Sequence, residues 1–383
     1  MLRHVPTRVF SLSIHADYRC RHSGQCCSTD WDVPVELPFY RSLTAALDGK
    51  RLRTSAAAGE RSPFVVDPDA SDGDGVFFTR LDDGRCVFLA PHTNLCIVHR
   101  DLGFDALPLT CRHFPRVSIQ DRRGIFITLS HYCPTAASML FRDEVELRIV
   151  EQPPAFPPND YDGLVVGDDD LPPLLHPHML MDFAGYSAWE AHLVARCTDL
   201  QRVPESVLAT MMRDARLLAA WRPGSSTLLE AVGRLPIGYV DAVPARSLDE
   251  SLVLYRAVID AVPEDLKPEP DESDLPDAFV RYVAPRWSLF HPPINRFIAA
   301  KSFATWTAYQ GRGVATIVHG IESAVALVRV EAARLCRDVD RPLDADLLRE
   351  AFRAADFALN HLAVGEDLAL GWAASAEGSG PHR

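Results

Sequence analysis

The pattern of apolar and polar residues changes near residue 150. Before that point apolar residues alternate with polar ones over short runs, which is the spacing of half-buried strands. Segments 116–120 and 125–129 alternate in this way on either side of the polar turn 121–124, so they predict a β-hairpin. A shorter hairpin is predicted from segments 76–81 and 86–90, because an Asp-Gly pair lies in the turn between them.

After residue 150 the apolar residues return every three or four positions, which predicts helices. Ser187 with Glu190, and Ser247 with Glu250, have the spacing of a capping box at a helix N-terminus. Pro204 suits the first turn of a helix. Helices are predicted at 37–47 in the first part of the chain and at 293–310, 314–337 and 344–363 in the second.

Segment 151–177 contains seven prolines and the acidic run 168–170, which interrupt any regular element. We therefore predict a hairpin-rich first domain at residues 1–150, a Pro/Asp-rich linker at 151–177 and a mostly α-helical domain at 178–383. The predicted fold class is α+β.

Composition and charge argue against several kinds of partner. The chain has 383 residues and a net charge of -13, whereas nucleic acid binding needs clustered Lys and Arg. The most apolar stretch, 313–336, contains Glu322 and Arg329, which argues against a membrane span. The first residues lack the pattern of a secretory signal peptide. We expect a cytoplasmic protein, in a reducing compartment that disfavours disulfides.

The cysteines are concentrated in the first third of the chain. Thiols gather where they form disulfides or bind metal as thiolates, and a reducing compartment favours metal. Cys197 and Cys336 lie in helical patterns and are expected to be small core residues. The other seven of the nine cysteines are candidate metal ligands: Cys20, Cys26, Cys27, Cys86, Cys96, Cys111 and Cys133.

Two features of the sequence favour a common centre for these thiols. The predicted hairpin about 121–124 returns the chain, so Cys111 and Cys133 should meet just beyond its open end. Arginines that could offset the charge of thiolates adjoin three of the cysteines, namely Arg19, Arg21, Arg85 and Arg112. Structural zinc and an iron-sulfur cluster (4Fe-4S) both fit a thiolate ligand set, and seven thiols exceed the need of one zinc ion, which slightly favours the cluster.

The cysteines lie in motifs that resemble a known family. The motifs are Cys20-x2-Ser23-Gly24-x-Cys26-Cys27, Gly84-x-Cys86-x-Phe88-Leu89, Leu95-Cys96-Ile97-Val98 and Leu109-Thr110-Cys111-Arg112-x-Phe114-Pro115. Over residues 17–135 they resemble the YkgJ-type cysteine-cluster family, described as a zinc- or iron-chelating domain. Ser23 stands where the family often has another cysteine, so Cys133 or a histidine would take over that ligand.

A longer type, the flagellin lysine N-methylase type, combines such a cluster with a helical C-terminal region. The chain length, the spacing from Cys20 to Cys26 and segment 295–306 are similar to that type. The resemblance implies a protein-lysine N-methyltransferase that acts on lysine side chains of a protein, with S-adenosylmethionine as methyl donor. The residues themselves do not show a methyltransferase, because no glycine-rich turn of a nucleotide site follows a predicted strand. No catalytic residue is assigned.

Three functions remain open from the sequence. The first is a metalloprotein with an iron-sulfur cluster or zinc, joined to a helical domain that modifies or binds a protein. The second is a non-enzymatic module in which a closed zinc site staples the loop-rich half and the helical half binds a partner. The third is a metal-free redox sensor that uses Cys26 and Cys27.

Overall fold

The chain folds into two compact units of unequal size. Unit 1 comprises the residues up to Tyr18, Val117–Tyr132 and the chain from Ala136 onward, and unit 2 comprises Arg19–Arg116 with Cys133–Thr135. Helices and small sheets occur together, so the predicted α+β class is confirmed. The structure is a computed structural model that describes residues 8–29, 31–67, 75–157, 171–241, 243, 247–268, 271–310 and 312–378.

The strands of the described residues form three sheets. They are β1 Val9–Leu12, β2 Phe64–Val66, β3 Val76–Phe78, β4 Arg116–Asp121, β5 Gly124–Leu129, β6 Ile149–Glu151, β7 Leu174–His176 and β8 Met179–Leu180. The largest sheet has the order β4-β5-β1-β6. In it β1 runs parallel to β5 and antiparallel to β6, so that Phe10 lies opposite Phe126 on one side and Glu151 on the other. Strand β2 pairs with β3, and β7 pairs with β8, both antiparallel.

The α-helices follow the same chain order. They are α1 Leu37–Asp48, α2 Ile97–Leu102, α3 Leu109–His113, α4 Pro134–Met139, α5 Phe183–Arg196, α6 Pro204–Ala219, α7 Leu228–Gly233, α8 Leu248–Asp260, α9 Leu275–Ala278, α10 Ala284–Trp287, α11 His291–Ser302, α12 Thr307–Gln310, α13 Val314–Asp338, α14 Ala345–Phe357 and α15 Gly365–Gly378. Single π-helical turns, Phe279–Val283 and Ala358–Leu362, continue α9 and α14.

Most of the predicted helices are confirmed, and two details differ. Helices α1, α13 and α14 match their predicted segments, and the predicted capping box at Ser247 begins α8. The predicted helix at 293–310 is interrupted between α11 and α12, where Ala304 adopts the left-handed region with φ 52°. The predicted helix start at Ser187 is wrong, because Asp182 caps α5 by accepting a hydrogen bond from the Gly185 N–H at 2.6 Å.

The two predicted hairpins have different outcomes. Strands β4 and β5 are sheet neighbours separated only by Arg122 and Arg123, which confirms the longer hairpin. The shorter one forms only in part: β3 ends at Phe78, and Arg80 forms a single bridge with Cys86. Beyond Cys86 the chain turns, because the Leu89 N–H donates back to the Cys86 carbonyl at 2.9 Å.

The two units do not follow the predicted division at 151–177. Strand β1 pairs with β5 and β6, and these strands belong to unit 1 together with the helices of the second half. Strands β6 and β7 occupy the ends of the predicted linker, and residues 158–170 lie outside the described part of the chain. Pairing between strands more than a hundred residues apart leaves no local signal in the sequence.

Helix α13 lies at the centre of the unit 1 core. Its side chains are buried on nearly all faces, as expected for a helix surrounded by other helices. Helices α6, α8, α14 and α15 pack against it. Its buried Arg329 pairs with Glu205 of α6 at 2.6 Å, so this charge is compensated inside the core. No helix of the described residues is long and apolar enough to cross a membrane.

Unit 2 has a small core of its own. The rings of Phe64, Phe78 and Phe88 pack together, with 5.1 Å between the centroids of Phe78 and Phe88. Leu43 of α1 and Val87 are fully buried beside them. The buried apolar side chains of unit 2 thus form a core separate from that of unit 1.

A buried network of charged and polar side chains lies in unit 1. His15 and His131 are fully buried, with 3.3 Å between their Nε2 atoms. The Asp356 carboxylate accepts a hydrogen bond from the His131 backbone N–H and pairs with Lys301. His361 lies 2.8 Å, through its Nε2, from the Ser130 hydroxyl. Burial lowers the pKa of His15 well below 6.5 and that of His361 to about 4.

The lowered pKa values of His15 and His361 predict that unit 1 loses stability on acidification. The unfolded chain takes up protons near pH 6.5 and the folded chain only at lower pH. The free energy of unfolding should therefore fall below pH 6.5, by about 1.4 kcal/mol per pH unit for each such histidine. For His361 this fall continues to about pH 4. Urea unfolding followed by tryptophan fluorescence would measure it, since five of the six tryptophans lie in unit 1.

Matched histidine variants provide the control for the acid effect. His15→Gln should flatten the pH dependence, whereas His178→Gln, at an exposed position, should leave it as in the wild type. A wild-type free energy of unfolding that stays constant between about pH 7 and about pH 5 would contradict the expectation.

Candidate metal centre

A tight turn brings the first two cysteines together. Cys26 and Cys27 lie in the 3-10 turn Gln25–Cys27, and their Sγ atoms are 3.9 Å apart. The turn begins at Gly24, whose φ is 74°. A Cβ at this position would lie 2.6 Å from the Asn94 carbonyl oxygen, so the chain needs glycine here for both its conformation and its close approach.

Backbone hydrogen bonds place Cys86 and Cys96 beside this turn. The Cys86 N–H donates to the Cys27 carbonyl at 2.6 Å. The chain then bends, and Leu89 forms a single bridge with Cys96. Cys96 immediately precedes α2. Cys86 and Cys96, which are ten positions apart, both raise the pKa of Cys27 and so lie near the Cys26–Cys27 turn.

Helix α3 contributes a fifth thiol. Cys111 lies in the middle of this short helix, and its side chain packs with Cys27 and Cys96 against the unit 2 core, to which Cys86 belongs. We refer to Cys26, Cys27, Cys86, Cys96 and Cys111 as the thiol cluster. All five are free thiols.

The members of the thiol cluster act on one another's pKa. Burial raises the pKa of Cys111 well above its usual value, and the neighbouring Cys86, Cys96 and Cys26 raise it further. Burial also raises the pKa of Cys96, and that of Cys86 to about 11. The hydrogen bond between Cys26 and Cys27 lowers the pKa of Cys26 and raises that of Cys27 well above its usual value. Most of the cluster therefore resists ionisation unless a cation compensates the charge.

One arginine acts on three of these thiols, and it is not among those that adjoin cysteines in sequence. Arg80 donates from Nε to the Trp31 carbonyl at 2.8 Å and from Nη1 to the Cys27 carbonyl at 3.4 Å. Against the dominant effect of burial, its charge lowers the pKa of Cys86 and of Cys111. The hairpin predicted about Gly84 would set Arg80 opposite Cys86, as the observed bridge does, and this pairing is the sequence signal that could have identified Arg80.

The arginines that adjoin cysteines in the sequence are placed differently. Arg85 pairs with Asp83 at 2.6 Å, so its charge is already compensated. Arg112 lies over the ring of Phe39, 5.2 Å from the centroid. Adjacency in sequence therefore did not identify the cation that acts most widely on the thiols.

The two remaining candidate ligands, Cys20 and Cys133, lie at the starts of the two chain segments that form unit 2. Cys20 is exposed, and its Sγ accepts a hydrogen bond from the His22 N–H at 3.3 Å. Cys133 is buried, immediately precedes α4 and belongs to unit 2 although the hairpin strands before it belong to unit 1. The predicted meeting of Cys111 and Cys133, and the role of Cys20 as a ligand, stay predictions.

The donor set fits a thiophilic metal, although the thiols are not yet in ligand geometry. The described residues contain no group of three or more His, Cys, Asp or Glu side chains arranged to hold a metal ion. The 3.9 Å between the Sγ atoms of Cys26 and Cys27 is close to the edge of a zinc-thiolate tetrahedron, about 3.8 Å for Zn–S bonds of about 2.3 Å.

The two cysteines outside the cluster match their expected structural role. Cys197 and Cys336 are fully buried in the helical core of unit 1. Burial raises the pKa of both thiols, that of Cys336 to about 11. They serve as matched controls for substitutions in the thiol cluster.

The turn at Gly24 predicts a specific sensitivity of unit 2. Gly24→Ala should disrupt the thiol cluster, because the new Cβ would collide with the Asn94 backbone. Gly59→Ala is a matched control, since Gly59 also has positive φ, 57°, but no atom within 4 Å of the added Cβ. Gly59 has ψ -129°, a region that residues with a Cβ rarely adopt, so the control should lose only the conformational cost of about 1–3 kcal/mol. Urea unfolding should show a larger loss for Gly24→Ala; equal losses would mean that the contact with Asn94 is unimportant.

Family models, curated proteins and solved structures gave no match to this chain. The chemistry of the thiol cluster and the motif resemblance are therefore the basis for proposing a function.

Proposed function

We propose that unit 2 is a metal-binding domain that holds an iron-sulfur cluster or zinc through the thiol cluster. The observation that supports it most is the convergence of five cysteines from four separate segments of the chain. Packing alone gives no reason to gather five thiols at one place, whereas a soft metal does. Cys20 and Cys133 are additional candidate ligands in the same unit.

The electrostatics of the cluster agree with this proposal. Burial and mutual repulsion oppose ionisation of the thiols, and metal coordination removes that opposition by supplying positive charge. Binding would therefore release protons and add its free energy to the stability of a unit with a small core. Bound iron-sulfur would supply electron transfer or structural support, and zinc in a closed site would supply structural support alone.

The number of thiols leaves both metals open, and the spacing of one pair suits zinc. The five thiols of the thiol cluster, with two more in the same unit, exceed the four that either one zinc ion or one 4Fe-4S cluster uses. The short Cys26–Cys27 separation of 3.9 Å suits a single zinc ion. The structural-zinc module is therefore the second candidate, with the helical unit 1 as a partner-binding domain.

We extend the proposal to protein-lysine N-methylation, with S-adenosylmethionine as the methyl donor, on the motif resemblance alone. Segment 295–306, which is similar to the methylase type, lies in and after α11. Its Asn295 is fully buried and donates to the Leu200 and Arg202 carbonyls at 3.2 and 2.8 Å. These contacts stabilise unit 1, so the segment supports a common fold more than it supports a substrate site.

The metal content of the native protein tests the first part of the proposal. Protein purified without air should contain iron and acid-labile sulfide in stoichiometric amounts and absorb near about 400 nm, as thiolate-bound iron-sulfur clusters do. A colourless protein with one zinc per chain would favour the structural-zinc module. Absence of both metals would contradict the proposal and leave the metal-free redox sensor.

Cysteine variants test which thiols hold the metal. Cys27→Ser and Cys111→Ser should lower the metal content and destabilise unit 2, because binding free energy is partly folding free energy. Cys336→Ser, in the core of unit 1, should retain the wild-type metal content. Elemental analysis of the three purified variants would measure this, and equal metal content in all three would contradict the assignment.

A further inference from the structure

We propose that Arg80 is the residue that compensates the charge of the metal-bound thiolates, a positioning role that rests on the proposed metal centre. The guanidinium is held beside the Cys26–Cys27 turn by two hydrogen bonds, from Nε to the Trp31 carbonyl at 2.8 Å and from Nη1 to the Cys27 carbonyl at 3.4 Å. Two backbone carbonyls therefore fix the position of the guanidinium. Its planar fork fixes the direction of the third nitrogen, Nη2.

The third nitrogen of this guanidinium lacks an acceptor. Arg80 Nη2 is buried and has no hydrogen-bond partner among the described residues. A buried donor on a charged group is costly to leave unpaired, so such a group in a folded protein calls for an explanation. Thiolate and sulfide sulfur accept hydrogen bonds from arginine, and such bonds from neighbouring donors tune metal-thiolate centres.

The charge of Arg80 also differs from that of two other arginines of unit 2. Among the described residues Arg80 makes no ion pair with a carboxylate, whereas Arg85 pairs with Asp83 and Arg100 with Asp101, both at 2.6 Å. A divalent ion held by four thiolates keeps a net charge of about -2. Arg80 is a half-buried cation without a carboxylate partner among the described residues, and it acts on three of the five thiols, which is the complement that such a centre needs.

Position along the chain explains why Arg80 can do this. Arg80 follows β3 and forms the bridge with Cys86, so the turn through Gly84 sets the guanidinium opposite a candidate ligand. The Cys86 N–H in turn donates to the Cys27 carbonyl, which also accepts from Arg80. One carbonyl therefore ties the arginine and two candidate ligands together.

Removal of the charge tests this role through metal retention. In Arg80→Gln, metal should pass to a chelator at least about tenfold faster than in the wild type, a factor equal to about 1.4 kcal/mol of activation free energy for metal release. Arg85→Gln, adjacent to Cys86 but already paired with Asp83, should behave as the wild type. Equal rates for Arg80→Gln and Arg85→Gln would overturn the inference.

A second readout separates charge compensation from simple loss of structure. Without the cation, protons compete better for the thiolates, so Arg80→Gln should lose half of its metal at a higher pH than the wild type. Val87→Ala removes fully buried core volume from unit 2 and no charge. It should lower the melting temperature and move that pH less than Arg80→Gln does, and an equal shift in both variants would overturn the inference.

The outcomes also distinguish this inference from the proposed function. Wild-type protein without metal would remove the proposed centre itself. Wild-type protein with metal, and unchanged retention in Arg80→Gln, would remove only the role of Arg80. If Arg80→Gln does not fold, Arg80→Leu takes its place: it removes the charge and keeps apolar volume, so its metal loss should exceed that of Arg85→Leu, and equal rates would contradict the role.

Discussion

Several thiols cannot ionise side by side in a buried place unless a cation joins them, and unit 2 holds five thiols within or against its core. Four segments of the chain bring five cysteines together, and burial with mutual repulsion raises the pKa of most of them. A small aromatic core packs in the same unit, but this packing does not explain why cysteines gather there. A metal would supply the missing positive charge and add its binding free energy to the stability of the unit.

The sequence singled out the cysteines more readily than the residues around them. Cys26 and Cys27 lie side by side, and Cys86, Cys96 and Cys111 belong to or pack against the same core, while the role of the seven candidates as ligands stays a prediction. Arg80 escaped notice because it lies six positions before Cys86 and reaches it only through the bridge across a turn. Arg85, which adjoins Cys86, instead pairs with Asp83. Sequence neighbours point in different directions along a chain, so contact with a thiol depends on turns more than on adjacency.

The same limit applies to the fold. Helices such as α13 have a strong periodic pattern, and the β4–β5 hairpin is local, so both could be predicted. The pairing of β1 with β5 and β6 spans more than a hundred residues and joins the chain start to the helical half. For that reason the compact units do not follow the proline-rich boundary. The break at Ala304 depends on a backbone conformation that alanine rarely adopts, and no pattern of apolar residues announces it.

X-ray absorption spectroscopy on protein purified without air tests the central claim most directly, because it reports both the metal and the atoms bound to it. The proposed centre predicts iron or zinc in stoichiometric amount with a first shell made of sulfur, at about 2.3 Å if the ion is zinc. A shell of nitrogen and oxygen, or the absence of any stoichiometric metal, would contradict the claim that the thiol cluster is a metal centre.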